Sequence, residues 1–269
     1  MKVVDECLGL EQSKQIEHVT HHVMEDDTTD LDKLFAVPDQ KWYMTVKTFC
    51  DFILAAIFLT LLFPVILLAA LIVKITSPGP AFYFQERLGL NGSSFTLIKL
   101  RTMKQDAESK TGAVWAKAED DRITGFGHFL RRTQIDEFPQ LINVLLGQMS
   151  LIGPRPERPE LANKLELDIP NYKQRLHVKP GITGLAQLRL PADTDVESVR
   201  RKLIPDLYYV INMSPWLDLR ILMFTATYFC TSLAKVAWSA VALPTVPVAQ
   251  QALLSEASPE QPATVSKAS

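Results

Sequence analysis

The longest apolar run in the chain is Phe52–Val73, 22 residues in which Thr60 is the only polar side chain. As a straight helix it would measure roughly 33 Å, enough to cross a hydrocarbon core of about 30 Å. Pro64 stands in its middle, where it removes one helical hydrogen bond and crowds the preceding turn. Split there, the run yields halves of about 18 and 14 Å, and neither half crosses. Lys41 and Lys47 precede the run, and Lys74, Arg87, Lys99 and Arg101 follow it, so both flanks carry the cations that mark a cytoplasmic side. Two readings are open: a kinked single span, or a re-entrant hairpin over residues 41–78 that enters and leaves through one leaflet. The break and the flanks together favour the hairpin.

Beyond Ser77-Pro78-Gly79-Pro80 the apolar period changes. Two aromatic or β-branched runs, Ala81–Leu88 and Phe95–Thr102, flank Asn91-Gly92, which predicts a β-hairpin. On its second strand Lys99 and Arg101 share a face. They either flank an anionic substrate or are solvated. Residues 104–120 read as a polar helix and loop. Gly125-Phe126-Gly127 turns the chain into a helix carrying Arg131 and Arg132, and Leu141–Leu146 predicts a short apolar helix ended by Gly147. The segment His177–Gln187 reads as a glycine turn, and Asp193–Val210 as a helix. Ile221–Ala234, fourteen mostly apolar residues bordered by Trp216 and Trp238, is too short to span and suits a helix lying in the membrane interface. The resulting division is an acidic tail over 1–40, the membrane segment over 41–78, a central mixed domain over 79–212, an interfacial helix over 213–240 and a tail over 241–269.

Composition narrows the partners. The chain has 269 residues, 47% apolar, with a net charge of -2, which lacks the basic stripe of a nucleic-acid binder. Residues 1–40 hold ten acids against three lysines, and 241–269 are rich in Pro, Ala, Ser and Gln, so both tails are expected to be disordered. His18, His21 and His22 lie in the first tail without a rigid frame to make them a metal site. No cleavable signal peptide is expected, because the first apolar run begins too deep. Cys7, Cys50 and Cys230 suggest neither a disulfide framework nor a metal spacing.

The densest chemistry lies in Arg131-Arg132-Thr133-Gln134-Ile135-Asp136-Glu137-Phe138-Pro139-Gln140 and in the loop Gly153-Pro154-Arg155-Pro156-Glu157. Adjacent carboxylates point about 100° apart on a helix and to opposite faces of a strand, so Asp136 and Glu137 have different jobs. Either Thr133 caps a helix with Asp136 three residues on, or Pro139 opens one. In both arrangements the acids sit near a helix N-terminus, which suits phosphate or a carboxylate. Arg131, Arg132 and Arg155 can chelate phosphate oxygens in bidentate fashion. The plainer alternative is an ordinary capped helix with these arginines paired to the two acids.

Those residues, together with Ser77–Pro80, Gln85–Gly89, Lys99–Met103, Asp121–Thr124, Lys179–Gly184 and Leu217–Leu219, resemble the bacterial sugar transferases, monotopic polyprenyl-phosphate phosphoglycosyl transferases that prime polysaccharide or glycoconjugate synthesis. The resemblance covers about residues 44–232. It implies an α/β, mostly helical, membrane-associated catalytic domain with a re-entrant membrane helix and interfacial amphipathic helices, at the bacterial inner membrane and facing the cytoplasm. It implies transfer of a sugar-1-phosphate from a UDP-sugar to a polyprenyl phosphate, with release of UMP. By position, Asp136 would be the nucleophile and the ligand of a Mg²⁺ ion, and Glu137 an acid/base. Arg131, Arg155, Lys99, Arg101, Arg132 and Glu157 would bind substrate. Expected partners are the UDP-sugar, the polyprenyl phosphate, membrane lipid, a homodimer mate and downstream glycosyltransferases, with no nucleic acid. Phe138 stands where the family usually has Leu, His128 where a basic Arg or Lys is frequent, and Phe63 before Pro64 where some members have Ser. A non-catalytic membrane adaptor and a polymer-linking phosphotransferase with another donor are the competing functions.

Overall fold

A computed structural model describes residues 41–107, 120–190 and 192–229. The two expected tails and most of the polar stretch 104–120 lie outside the described residues. The described part is mostly helical and poor in sheet. Its longest element is helix α1, Lys41–Thr76, 36 residues with Pro64 inside. In place of the two half-helices expected from the sequence there is one helix running through the proline. Pro64 has no N–H for the Thr60 carbonyl, and that single missing bond does not divide it. Among the described residues α1 is the one helix long and apolar enough to cross a membrane.

The buried positions of α1 follow a strict order. Tyr43, Lys47, Asp51 and Ala55 are buried at its start and Ile66, Ala69, Ala70 and Val73 near its end. Leu59 and Leu62 are half-buried between them. A spacing of three or four keeps all of these on one stripe. The stripe lies on the rest of the protein from end to end, while Phe49, Phe58, Leu61, Leu67, Leu68 and Ile75 on the other side are exposed.

Strands β1 (Phe82–Leu88) and β2 (Ser94–Leu100) form the expected antiparallel hairpin, in register from Phe82↔Leu100 to Leu88↔Ser94. Its turn uses positive φ at Asn91 and Gly92, the geometry for which an Asn-Gly pair is suited. Helix α2 spans Gly125–Thr133, and α3 spans Gln140–Leu145, with Gly147 at φ 73 after it. The fully buried Asn143 ties α3 to the hairpin, accepting from the Ile98 N–H at 3.1 Å and donating to the Thr96 carbonyl at 2.7 Å.

Next come β3 (Ser150–Ile152), α4 (Pro159–Asp168), a 3-10 stretch Tyr172–His177 and β4 (Gly181–Thr183). β3 and β4 pair in parallel, Ser150↔Gly181 and Ile152↔Thr183. Neither strand is visible in the apolar pattern, because three residues are too few to show a period. The glycine turn therefore serves backbone contact: a Cβ on Gly181 or Gly184 would run into the backbone of Gly153. The last described elements are α5 (Leu185–Arg189), α6 (Val196–Asn212) and α7 (Pro215–Phe229).

One core joins α1, β2, α3, β3, α6 and α7 around Ala55, Leu141, Val144, Leu151, Val210 and Ile221. A second joins α4 and α6 through Leu165, Ile169, Tyr172 and Leu203. A third sets Ala69, Ala70 and Val73 of α1 against Leu100 and Leu130. A buried polar cluster also clamps the start of α1. Asp218 of α7 accepts hydrogen bonds from Tyr43 (2.6 Å), Lys47 (2.7 Å) and Tyr209 (2.8 Å), and Ser150 donates to Asp51 at 2.6 Å.

Candidate active site

The site is built where α2 ends. Thr124 caps α2 by accepting the Gly127 N–H at 3.0 Å. Gly127 lies so close to the Thr102 carbonyl that only a hydrogen fits in place of a side chain. Gln134, at φ 56, then reverses the chain into a 3-10 turn Ile135–Glu137, and Pro139 immediately precedes α3. Of the two sequence alternatives it is Pro139, not Thr133, that stands at a helix start. Thr133 is the last residue of α2, and its hydroxyl bonds back to the Phe129 and Leu130 carbonyls.

The 3-10 turn gives the two acids the different surroundings that adjacency required. Asp136 is 6% exposed and its Oδ1 is buried with no hydrogen-bond partner. Burial first, then the neighbouring Glu137 charge, push its carboxyl up to about 6, against the pull of Lys99, Arg131 and Arg155. Glu137 instead receives both arms of Arg155, at 2.6 and 3.2 Å. Burial raises its carboxyl, but the Arg155 charge and hydrogen bonds prevail and hold it below the usual range. The dyad is thus one ion-paired carboxylate beside one unpaired carboxylate that is costly to ionise.

Three cations surround Asp136 without neutralising it by direct contact. Lys99 projects over the Tyr83 ring, 5.2 Å from its centroid, and burial, with Arg87 nearby, lowers its ammonium to about 8. Arg131 is held by its Nε donating to the Thr102 hydroxyl at 2.9 Å. Arg155 reaches in from the loop after β3. Lys99, Arg131 and Arg155 therefore join Asp136 and Glu137 in one constellation.

The other expected site residues are placed differently. Arg101 lies just past the end of β2, and its guanidinium donates to the Pro78 and Ser77 carbonyls at 2.6 and 2.8 Å, closing the end of α1. Glu157 pairs with Arg87 at 3.2 Å and accepts the Arg158 N–H at 2.8 Å, so it stabilises the Arg155 loop. Arg132 is exposed and makes no ion pair among the described residues. Arg87 was not foreseen in the site: it also donates to the Pro156 carbonyl at 3.0 Å. Only its position two residues from Gln85, which accepts from it at 2.6 Å, lay within reach of sequence reasoning.

A hard cation fits this donor set. The Asp136 Oδ1 is a free carboxylate oxygen, and Mg²⁺ is commonly held by one or two carboxylates, substrate phosphate oxygens and water. No group of three His, Cys, Asp or Glu side chains suited to a metal occurs among the described residues, so the protein would supply Asp136 and the substrate the rest.

With this geometry in hand, the family model described as bacterial sugar transferase matches residues 42–232. The chain belongs to the bacterial sugar transferase family. The chain is similar to a UDP-glucose:undecaprenyl-phosphate glucose-1-phosphate transferase of Xanthomonas campestris pv. campestris, 42% identical over 192 residues, which are 71% of this chain and 40% of the relative. It is 43% identical over 188 residues to a protein of the same description from Caulobacter vibrioides, covering 69% of this chain and 70% of the relative. It is also 40% identical over 183 residues to a UDP-N-acetylgalactosamine-undecaprenyl-phosphate N-acetylgalactosaminephosphotransferase of Aeromonas hydrophila, 68% of this chain and 43% of the relative. The chain therefore spans less than half the length of two of these three relatives. Their names carry different sugars.

Proposed function

We propose that this chain transfers a sugar-1-phosphate from a UDP-sugar to undecaprenyl phosphate or a similar polyprenyl phosphate, the priming step of a bacterial polysaccharide or glycoconjugate. The observation that supports this most is the buried, unpartnered Asp136 oxygen ringed by Lys99, Arg131 and Arg155. A carboxylate becomes a competent nucleophile toward phosphorus when cations take up the phosphate charge, and phosphoryl transfer is mainly positioning and charge stabilisation.

In the proposed sequence an Asp136 oxygen forms a bond to the sugar-bearing phosphorus. The bridging P–O bond breaks, and UMP leaves with the electron pair. A phosphate oxygen of the polyprenyl acceptor then attacks the same phosphorus, the aspartyl P–O bond breaks, and the carboxylate is restored. Lys99 and Arg131 neutralise phosphate oxygens during both steps. Arg155 exchanges part of its hold on Glu137 for the diphosphate, which frees Glu137 to take or give a proton at the acceptor. A Mg²⁺ ion on Asp136 would add charge neutralisation at the diphosphate.

The same reading places the protein at the inner membrane, with the catalytic part on the cytoplasmic side and α1 re-entrant as one continuous helix whose two ends lie on that side. A spanning helix leaves its domain for about 20 residues, whereas α1 packs on one domain from Tyr43 to Ala55, through the half-buried Leu59 and Leu62, and again from Ile66 to Val73. The apolar outer face of α1, and Trp216, Leu219 and Met223 on α7, suit contact with lipid.

The test is UMP release by nanodisc-held protein given undecaprenyl phosphate, Mg²⁺ and a panel of UDP-sugars, with Asp136→Asn in parallel. At least one sugar is expected to give UMP with the wild type, and Asp136→Asn to lower the rate at least 10³-fold, the order of loss seen when a nucleophile is removed. No UMP from any sugar would overturn the transferase reading.

A further inference from the structure

The loop that carries Arg155 is pinned carbonyl by carbonyl. The Pro154 carbonyl accepts the Gly181 N–H at 2.9 Å, the Pro156 carbonyl accepts from Arg87 at 3.0 Å, and the Glu157 carbonyl accepts the Leu88 N–H at 2.9 Å. The Arg155 carbonyl is held from the far side. Arg175 donates to it through Nη2 at 3.0 Å. The same nitrogen lies 2.7 Å from Asp206 Oδ2, and Nη1 donates to the Tyr172 hydroxyl at 2.9 Å.

All three of these residues are inside the protein: Arg175 is 8% exposed, Asp206 3% and Tyr172 2%. The sequence gives no hint of the set. Arg175 lies in a 3-10 stretch, Asp206 in the middle of α6, and Arg155 twenty residues upstream of Arg175. A buried ion pair is weak as a source of stability, because desolvating both charges costs about as much as their attraction returns. What it does supply is direction. Asp206 and Tyr172 leave the planar guanidinium one orientation, and in that orientation one N–H meets the Arg155 carbonyl.

We propose that Arg175, fixed by Asp206 and Tyr172, is a positioning residue for catalysis: by holding the Arg155 carbonyl it sets where the Arg155 guanidinium stands over Glu137. This inference rests on the transferase reading above. Arg175 touches neither acid of the dyad. Its effect passes through one backbone oxygen to a side chain whose two hydrogen bonds to Glu137, at 2.6 and 3.2 Å, need both arms correctly aimed. Burial, foremost, raises the Asp206 carboxyl to about 6, with Asp193 adding to the rise and Arg175 and Lys202 opposing it, so the hold on Arg175 is expected to weaken in mild acid.

The experiment is a double-mutant comparison in nanodiscs using UMP release. Arg175→Lys keeps the charge for Asp206, but a single ammonium cannot also span Tyr172 and the Arg155 carbonyl. It is expected to lower kcat/KM about 10- to 100-fold, the scale of an ångström-sized misplacement. Placed on Arg155→Ala, it is expected to cost no more than about a further twofold, since interactions that act through one group are not additive. An equal factor in both backgrounds, or no effect in the first, would overturn the proposal. Tyr172→Phe removes one acceptor at a milder site and is expected to repeat the pattern at about two- to tenfold, which keeps the test open if Arg175→Lys does not fold.

Hydrogen exchange gives a readout independent of turnover. The Leu88 and Gly181 amides, whose hydrogen bonds the loop carbonyls accept, should exchange faster in Arg175→Lys while those of α4 and α6 keep their wild-type rates. Uniformly faster exchange would instead indicate a general loss of packing and sink the proposal. If the wild type releases no UMP the transferase reading fails, and the exchange data alone then decide whether Arg175 holds the loop.

Discussion

Asp136 pays for its position. Its ionised form is disfavoured in the folded chain, where burial and Glu137 push the carboxyl from 3.8 to about 6. Between those values the folded state holds the proton more tightly than the unfolded chain, so stability falls as pH rises through that window and stays lower above it. Asp136→Asn removes the penalty. It is expected to raise unfolding stability by about 1–3 kcal/mol at pH 7.5, while the gain falls away below about pH 3, where wild-type Asp136 is mostly protonated in both states. Denaturant unfolding at the two pH values checks this, and a loss at pH 7.5 would show that Asp136 is stabilised by contacts beyond those described. That the two acids stand in different surroundings was legible from adjacency alone, and Arg155 was legible as a partner of phosphate or acid. Arg101 misled because its pattern on β2 matches that of Lys99, and nothing in a linear pattern reveals that the carbonyls of Ser77 and Pro78 lie within its reach. Arg87 was read only as a flanking cation and part of a motif, and Arg175 not at all, because the groups they hold belong to a loop distant in sequence.

Among the elements, α1 and α7 are joined by polar rather than apolar contacts at their critical point. Asp218 gathers Tyr43, Lys47 and Tyr209 onto two oxygens. Asp218→Ala would strand the Lys47 ammonium, whose side chain is 8% exposed, beside Asp51 at 3.6 Å as its remaining partner. Breaking a buried pair by deleting one member typically costs about 3–5 kcal/mol. The Asp51 charge takes up part of that, so the expected loss is about 2–4 kcal/mol, measured by thermal or denaturant unfolding in detergent. A loss under about 1 kcal/mol would show that water already solvates the cluster. Some helices were legible, since α2 begins at the Gly125-Phe126-Gly127 turn and α6 within three residues of the expected start, while α4 was not read at all and α5 was read partly as a turn. The β3–β4 pair was not, because it rests on close backbone approach at Gly153 and Gly181 and not on a hydrophobic period.

For the whole molecule, the decisive relation is between the anchor and the domain. The apolar run and its proline were plain in the sequence, but a linear pattern cannot show which positions along 36 residues touch protein. The buried stripe does. Reporter cysteines at Trp42→Cys and Ile75→Cys, both exposed ends of α1 at 65% and 75%, placed in a chain otherwise freed of cysteine, are expected to label from the same side of an oriented membrane. Labelling from opposite sides would make α1 a span and end the re-entrant reading. Strand β2 adds a further consequence. Within four consecutive residues, Lys99 faces the dyad, Arg101 grips the end of α1 and Thr102 holds Arg131. Lys99 and Arg101 are only about 7 Å apart along the chain, so the chemistry is registered to the anchor by a short rigid ruler. On the proposed function, a bilayer that thins or swells would carry both together, and the altitude at which a lipid phosphate would meet Asp136 is a property of the protein instead of the membrane it happens to occupy.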